Sequence, residues 1–584
     1  MSVEKLIVDH MATWTSALQT RSTAGRGSSG KIDLYGIKKL RELILELAVR
    51  GKLVPQDPND EPASELLKRI AAEKAELVKQ GKIKKQKPLP EISEEEKPFE
   101  LPEGWEWVTF SHLGYFFGGK TPSKMKDEYW GGTIPWVTPK DMKTNLIVDS
   151  EDKVTPLAIE DGLTKVSPGS ILFVARSGIL RRIFPVAITS IECTVNQDIK
   201  VLSPFFSDIS YYIRLMMNGF ERYIIENLTK TGTTVESLLF EDFISHPFMI
   251  PPFAEQNRIL STVKKLMSLC DQLEQQSLTS LDAHQQLVET LLGTLTDSQN
   301  AEELAENWAR ISEHFDTLFT TEASVDALKQ TILQLAVMGK LVPQDPNDEP
   351  ASELLKRIAQ EKAQLVKEGK IKKQKPLPPI SDEEKPFELP DGWEWCRLND
   401  LFSFITDGDH QAPPKSDTGI PFLVIGNLNK GIVSFDECKY VPIDYYERLD
   451  WSRKPCQGDV LYTVTGSYGI PIIVDNNEPF CVQRHVAILK SCSNTPITYL
   501  RYLFLSKYSY AYTEKIATGI AQKTVPLTGL RLMPIPVPQH RTLLNIINLI
   551  KLVDAMSESL KIGIQSAQQT QLHLADALTG AAIN

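Results

Sequence analysis

No arrangement of cysteines here suits a metal or a disulfide framework. Seven Cys (193, 270, 396, 438, 456, 481 and 492) are scattered through 584 residues, odd in number and without one C-x-x-C pair. That excludes a paired-thiolate zinc site and fits a reducing cytoplasm. Long apolar runs are also missing. The longest, such as Ile171 to Ala175, are far too short to span a bilayer, so no membrane partner is expected. The opening MSVEKLIVDHMATW lacks the apolar core and small-residue cleavage site of a secretory signal. A surplus of positive charge is absent as well. The net charge of −11 argues against a protein that coats nucleic acid indiscriminately, but leaves room for a reader whose basic residues are local.

Catalytic signatures are equally thin. Nine His show neither H-E-x-x-H nor another ligand spacing. Ile250-Pro251-Pro252-Phe253 approaches the motif of an adenine methyltransferase but has Ile where a polar group must hold the amino nitrogen. Asp141 with Glu151-Asp152-Lys153 has the composition of a nuclease site, yet such acidic triplets are commonplace in charged turns. We expect no nucleotide cofactor and no metal in this chain.

What is present is duplication. Gly51–Ala71, GKLVPQDPNDEPASELLKRIA, recurs unchanged as Gly339–Ala359, an offset of 288 residues. From Gly51 to Trp107 the two copies align without a gap and differ at six of 57 positions. A period this long is a duplicated half-protein, not a solenoid. Each copy reads as a helix closed by Gly51 or Gly339, a rigid PQDPNDEP loop, and a second helix starting at Ser64 or Ser352 and closed by Gly81 or Gly369. A basic connector follows, and then FELPEGWEW or FELPDGWEW as the entry strand of a domain.

About 145 residues of divergent, strand-like sequence follow each copy. A faint frame survives between them. Pro168 to Phe173 matches Gln457 to Tyr462, and Val195 to Ile199 matches Val482 to Val486. Helix-like stretches (Tyr211 to Ile225; Tyr499 to Tyr512) and a Gly-Thr loop close both. A long helix comes next, from about Glu255 to Leu295 with Ile259, Val263, Leu266, Cys270 and Leu273 on one face, or from about His540 to Leu578 with Leu544, Ile547, Ile550, Val553 and Leu560. Helices of some 38 residues would span about 55–60 Å. Joining the C-terminus to the N-terminus would recreate the central block, so the pattern is a two-fold circle cut once.

The repeated GKLVPQDPNDEPASELLKRI, the AEQNRI helix start and the paired PGSIL/GDVL frames resemble the specificity subunits of type I restriction–modification systems, nearest their IB subgroup. The resemblance covers the whole chain. It implies an α+β protein with two strand-rich target-recognition domains separated by antiparallel long-helix conserved regions. The segments would be a conserved helical region at 1–104, a recognition domain at 105–250, a central conserved region at 251–392, a second recognition domain at 393–538 and a conserved helix at 539–584. It implies a non-catalytic subunit that reads a bipartite double-stranded DNA target, with the helices setting the gap. Two modification (methyltransferase) subunits would dock on it and restriction (translocase/endonuclease) subunits join them. S-adenosylmethionine, ATP and Mg would reside in those partners. The competing class is a coiled-coil scaffold that binds only protein; it leaves the two divergent domains unexplained.

DNA reading needs Arg and Lys for phosphates and amide, hydroxyl or guanidinium groups for base edges, all on exposed loops. In the first domain the candidates are Lys120, Lys140, Arg176, Ser177, Arg181, Arg182, Thr231 and Thr233. In the second they are His410, Gln411, Lys415, Asn427, Thr465, Ser467, Tyr468, Arg484, Gln522 and Lys523. The connector lysines Lys82, Lys84, Lys85 and Lys87, with their copies Lys370, Lys372, Lys373 and Lys375, either meet phosphates or keep a linker solvated.

Overall fold

A computed structural model describes residues 3–21, 31–83, 92–97, 99–232, 235–410, 413–520 and 522–583. It divides into two compact units. One holds Met1–Gln19, Ile32–Leu278 and Gln568–Asn584, the other Thr20–Lys31 and Thr279–Ala567.

In the first unit, helix α1 (Tyr35–Val49) buries Ile37, Leu40, Leu43, Ile44 and Leu47, one stripe at helical spacing. Gly51 ends it with φ +67°, and a Cβ there would lie 2.5 Å from Pro102 Cγ, so only glycine fits. Helix α2 (Ala63–Lys79) buries Ala63, Leu66 and Ile70. It begins one residue before the expected Ser64. Pro62 fixes the entry, and the Ala63 N–H donates to the Gly104 carbonyl at 2.8 Å, so no hydroxyl cap is required.

Strand β1 (Glu106–Val108) opens the divergent segment, and β6 (Phe248–Ile250) closes it, paired antiparallel with Val108 opposite Phe248. The segment therefore leaves and rejoins the helical framework at one place. Between them lies a five-stranded sheet in the order 114–118, 199–204, 171–174, 186–189, 146–147. Its central strand β2 (Ile171–Val174) is buried at every position, which is why ILFV reads as an unbroken apolar run. Phe110, Phe173, Phe243 and Phe248 pack edge-on and tilted in the core. Two short ribbons, β3 (Arg176–Ser177) and the hairpin β4 (Thr229–Lys230) with β5 (Glu236–Leu238), form a sheet in the order β4, β5, β3. The stretch expected as one helix from Tyr211 to Ile225 is two, Ser210–Gly219 and Glu221–Asn227. Gly219 at the joint admits the Val49 side chain, 2.6 Å from where a Cβ would stand.

From the first unit's exit strand runs α3 (Phe253–Asp297), 45 residues or about 67 Å. Ile259, Val263, Leu266, Cys270 and Leu273 are all buried, as their spacing predicts.

The second unit repeats the plan. Helix α4 (Glu322–Val337) ends before Gly339 at φ +73°, and α5 (Ala351–Lys367) starts with the Ala351 N–H on the Gly392 carbonyl at 2.9 Å. Strand β7 (Glu394–Arg397) pairs antiparallel with the exit strand Pro534–Val537. Between them the sheet order is 402–407, 486–491, 460–463, 471–473, the order of the first four strands above. The side sheets correspond too. Ile420–Leu423 lies between Cys481–Val482, parallel, and Lys439–Val441, antiparallel, as Trp130–Val137 lies between Thr194–Val195 and Asp152–Val154. The Tyr499–Tyr512 stretch is again two helices, Ile497–Leu505 and Lys507–Ile516, because Ser506 is extended and its Oγ accepts from the Ser509 N–H.

Helix α6 (His540–Ile583) buries Leu543, Ile546, Ile547 and Ile550. Leu544, expected on that face, is 48% exposed, because the buried stripe runs through its neighbour Leu543.

The repeated PQDPNDEP loop clamps the start of the helix that leaves each divergent domain, and it does so differently in the two copies. In the first unit the Gln56 Nε2 donates to Glu255 Oε1 at 2.7 Å, the Trp105 indole N–H donates to Glu255 Oε2 at 3.1 Å, and Arg258 donates to both Asp60 oxygens. Burial raises the Glu255 pKa against those donors. In the second unit Trp393 donates to Gln344 instead, and the Asp348 carboxylate accepts from the Arg541 and Thr542 backbone N–H groups at the start of α6. Burial works to raise the Asp348 pKa, but those backbone donors outweigh it and hold the carboxyl below its ordinary value.

Candidate nucleic-acid interface

In the first domain, Gly119 follows its sheet strand and is pressed against a second chain segment. A Cβ there would lie 1.8 Å from the Val195 carbonyl oxygen, and Lys120 N donates to that oxygen. This contact carries Lys120 and Thr121 beside Asn196 and Gln197. The Thr121 hydroxyl donates to the Gln197 amide oxygen. A cleft of about 720 Å³ opens there, lined by Thr121, Lys124, Trp130, Lys140, Asn196 and Gln197 among others. Its neighbour, about 420 Å³, shares Pro139 and Gln197 and reaches Arg176, Ser177 and Gly178. The two clefts thus join loops 120, 138–140, 176–178 and 197. The basic turn also meets the Gly-Thr hairpin: Arg176 pairs with Ser237 and Lys230 with Ser237 from the other side. Thr231 is exposed at that hairpin's end.

The individual candidates differ in what is left for a ligand. Lys120, Arg176 and Arg182 are exposed and have no ion-pair partner among the described residues. Lys140 sits 3.5 Å from both Glu151 and Asp152, which raise its pKa. Arg181 is bound to the buried Glu236 carboxylate, so its guanidinium braces the turn. The Ser177 Oγ accepts from the Ile179 N–H at 3.4 Å. Thr233 and Gln411 lie outside the described residues, as do Lys84, Lys85 and Lys87. Of the other connector lysines, Lys370 pairs with Glu368 at 2.8 Å, while Lys82, Lys372, Lys373 and Lys375 are exposed.

The second domain repeats the close approach at Gly408, where a Cβ would lie 2.0 Å from the Val482 carbonyl oxygen. Val482 is the residue that the sequence frame matches to Val195. The contact brings the loop after Asp407 beside Gln483-Arg484-His485, with Asp409 bridged to Gln483. His410 lies 3.1 Å from Asp407; Asp409 accepts from Tyr445 and Arg453. Lys415 and Arg484 are exposed. Burial, then the neighbouring Arg484 charge, lower the His485 pKa. Asn427 is turned inward, accepting from the Val424 N–H and donating to the Asp436 carbonyl, so it shapes its loop. Thr465 is buried and meets Thr524 at 3.3 Å; Tyr468 is buried against Tyr510 with its ring 7° from parallel. Ser467, Gln522 and Lys523 are exposed beside them, and Lys523 pairs with Glu514 at 3.1 Å, which raises its pKa.

Sequence reasoning passed over Gln197, which links the first domain's clefts. Its place in the Val195–Ile199 frame, opposite Arg484, was the available signal. Contrary to the expectation that the sequence holds no G-x-x-x-x-G-K-[ST], Gly114–Thr121, GYFFGGKT, has that phosphate-loop spacing. The structure removes the phosphate-binding reading: Gly114–Gly118 is a strand, Lys120 is tied to Val195, and no helix follows to offer its N-terminus. Asp141 is likewise structural, accepting from Thr138 and from the Glu151 N–H. Among the described residues no three His, Cys, Asp or Glu side chains gather to hold a metal ion.

Residues 102–283 match the family described as the type I restriction modification DNA specificity domain. Over its whole length, and the relative's, the chain is 52% identical to the type I restriction enzyme EcoAI specificity subunit of Escherichia coli. The chain belongs to the type I restriction enzyme specificity subunits. The EcoEI specificity subunit of Escherichia coli is 50% identical, again over both full lengths. Among solved structures, a chain of a type I R-M system aligns over 83% of this one and 99% of its own length, at 15% identity and TM-score 0.42. As a specificity subunit, this protein recognises DNA and is a non-catalytic subunit of its restriction–modification system. No described helix is long and apolar enough to cross a membrane.

Proposed function

We propose that each divergent domain of this specificity subunit reads one half of a bipartite target. The observation that carries this is the matched geometry of the two domains, Gly119 on Val195 and Gly408 on Val482, which sets different side chains at one place in each. In this reading Lys120, Arg176, Arg182, Lys415, Arg484 and Lys523 meet phosphates, while Gln197, Ser467 and Gln522 face base edges.

The long helices α3 and α6 set the gap and dock two modification subunits. Support comes from α6, whose outer face leaves Leu552, Met556 and Ile562 more than half exposed. The identical sequence of the two clamp loops suits two copies of one partner. The modification subunits hold S-adenosylmethionine, the restriction subunits ATP and Mg, and the assembly works in the cytoplasm. Inserting four residues after Leu278 and four after Ala567 lengthens both helices by about 6 Å. The methylated target should keep both half-sites with a gap longer by about two base pairs, each about 3.4 Å. An unchanged gap counts against the helices as the ruler.

A further inference from the structure

The second domain carries its most exposed apolar side chain at the end of a hairpin. Thr518 and Thr524 exchange both backbone hydrogen bonds, at 2.9 and 2.8 Å. The returning strand is fixed to the loop at Val464 to Tyr468, with the Gly466 N–H on the Lys523 carbonyl at 3.1 Å and the Val525 N–H on the Val464 carbonyl at 2.7 Å. Gly519 makes the turn at φ +101°, where a Cβ would lie 2.4 Å from the Gln522 carbonyl oxygen. Ile520, the next residue, is 107% exposed, more than any other large hydrophobic side chain described. Exposed aliphatic residues are ordinary when scattered. This one stands between a glycine the turn requires and a Gln–Lys pair suited to a base edge and a phosphate.

The first domain has a glycine in a comparable close approach. A Cβ on Gly232 would lie 2.2 Å from the Val235 carbonyl oxygen, three residues on, as one on Gly519 would from Gln522. The sequence there continues with Thr233 where the second domain has Ile520.

Resting on the bipartite reading above, we infer that Ile520 is a specificity-determining residue that packs on the C5-methyl group of a thymine in the half-site bound by the second domain. Among base edges in the major groove, that methyl is the apolar feature. The edges of guanine, adenine and cytosine present donors or acceptors that an isoleucine would desolvate without replacing their hydrogen bonds.

The test uses the complex of this chain with its modification subunits and S-adenosylmethionine. The target is first read from the methylated adenines of host DNA, and each thymine of the duplex is then replaced singly by deoxyuridine, which removes only the methyl. One replacement should weaken specific binding about fourfold, the worth of one buried methyl. Ile520→Ala should weaken binding to the natural duplex by at least that factor, erase the thymine–deoxyuridine difference at that position alone, and leave binding to a scrambled duplex unchanged. Deoxyuridine that is neutral everywhere, a half-site without thymine, or a difference that survives in Ile520→Ala overturns the assignment while the bipartite reading stands. A wild-type complex that binds its target no better than the scrambled duplex overturns both.

Discussion

The clamp at Asp348 supports a quantitative expectation. Asp348 is 6% exposed, and its carboxylate accepts from Arg541 N–H at 2.8 Å and Thr542 N–H at 3.0 Å, the second and third backbone donors of α6. Losing a capping acceptor costs about 1 kcal/mol, within a range of about 0.5–2. Removing a negative charge from a partly buried helix N-terminus adds about 1 kcal/mol. Asp348→Ala should therefore destabilise the start of α6 by about 2 kcal/mol, and Asp348→Asn, which keeps an acceptor, by about 1. By hydrogen exchange, the amides of Arg541 to Leu543 should lose about 30-fold in protection in the alanine variant, since about 1.4 kcal/mol is a factor of ten. The folded pKa is depressed. The stabilisation is thus present above the unfolded carboxylate value, about 3.9, and is lost as pH falls through the lower folded one. Exchange at those amides that is unchanged by Asp348→Ala would refute the idea that the loop clamps the helix.

Other expectations concern separate parts of the molecule. Gly339→Ala places a Cβ 2.6 Å from Pro390 Cγ at φ +73° and should cost more than about 1 kcal/mol in urea unfolding, where a helix-interior Gly→Ala would gain. Asp459→Ala leaves the Lys490 ammonium buried at 5% exposure without its carboxylate; a loss of about 3–5 kcal/mol is expected, while Asp459→Ala with Lys490→Met recovers most of it. Arg176→Ala should reduce the salt slope of DNA binding by about 0.9 for one phosphate contact, with the methylated sequence unchanged. Glu236→Gln leaves Arg181 without its carboxylate and should loosen the turn that carries Arg176, weakening specific binding while Arg181→Lys retains it.

Much of the fold is legible because its signals are local. Gly51 and Gly339 end helices as glycine spacing predicts, and the ILFV and VLYT strands are buried end to end as their composition suggests. The misses are contacts between residues far apart in sequence. Ser64 is not the helix start because Gly104 supplies the missing acceptor from 40 residues away. Identical loops clamp their helices differently because the partners differ: Glu255 and Arg258 offer side chains, whereas Arg541 and Thr542 offer backbone. Arg181 reads as a free cation in a basic turn until folding brings Glu236 beside it. Gln197 reads as filler within a strand pattern until Gly119 packs on Val195 and opens the cleft around it.

The central claim, that each divergent domain reads its own half-site, is tested most directly by replacing residues 398–533 with a copy of residues 109–247. Sequencing the methylated adenines of DNA from cells carrying that chain with its partner subunits should give a palindromic target, with the first domain's half-site in both positions and the original gap between them. Retention of the original asymmetric target would contradict the account.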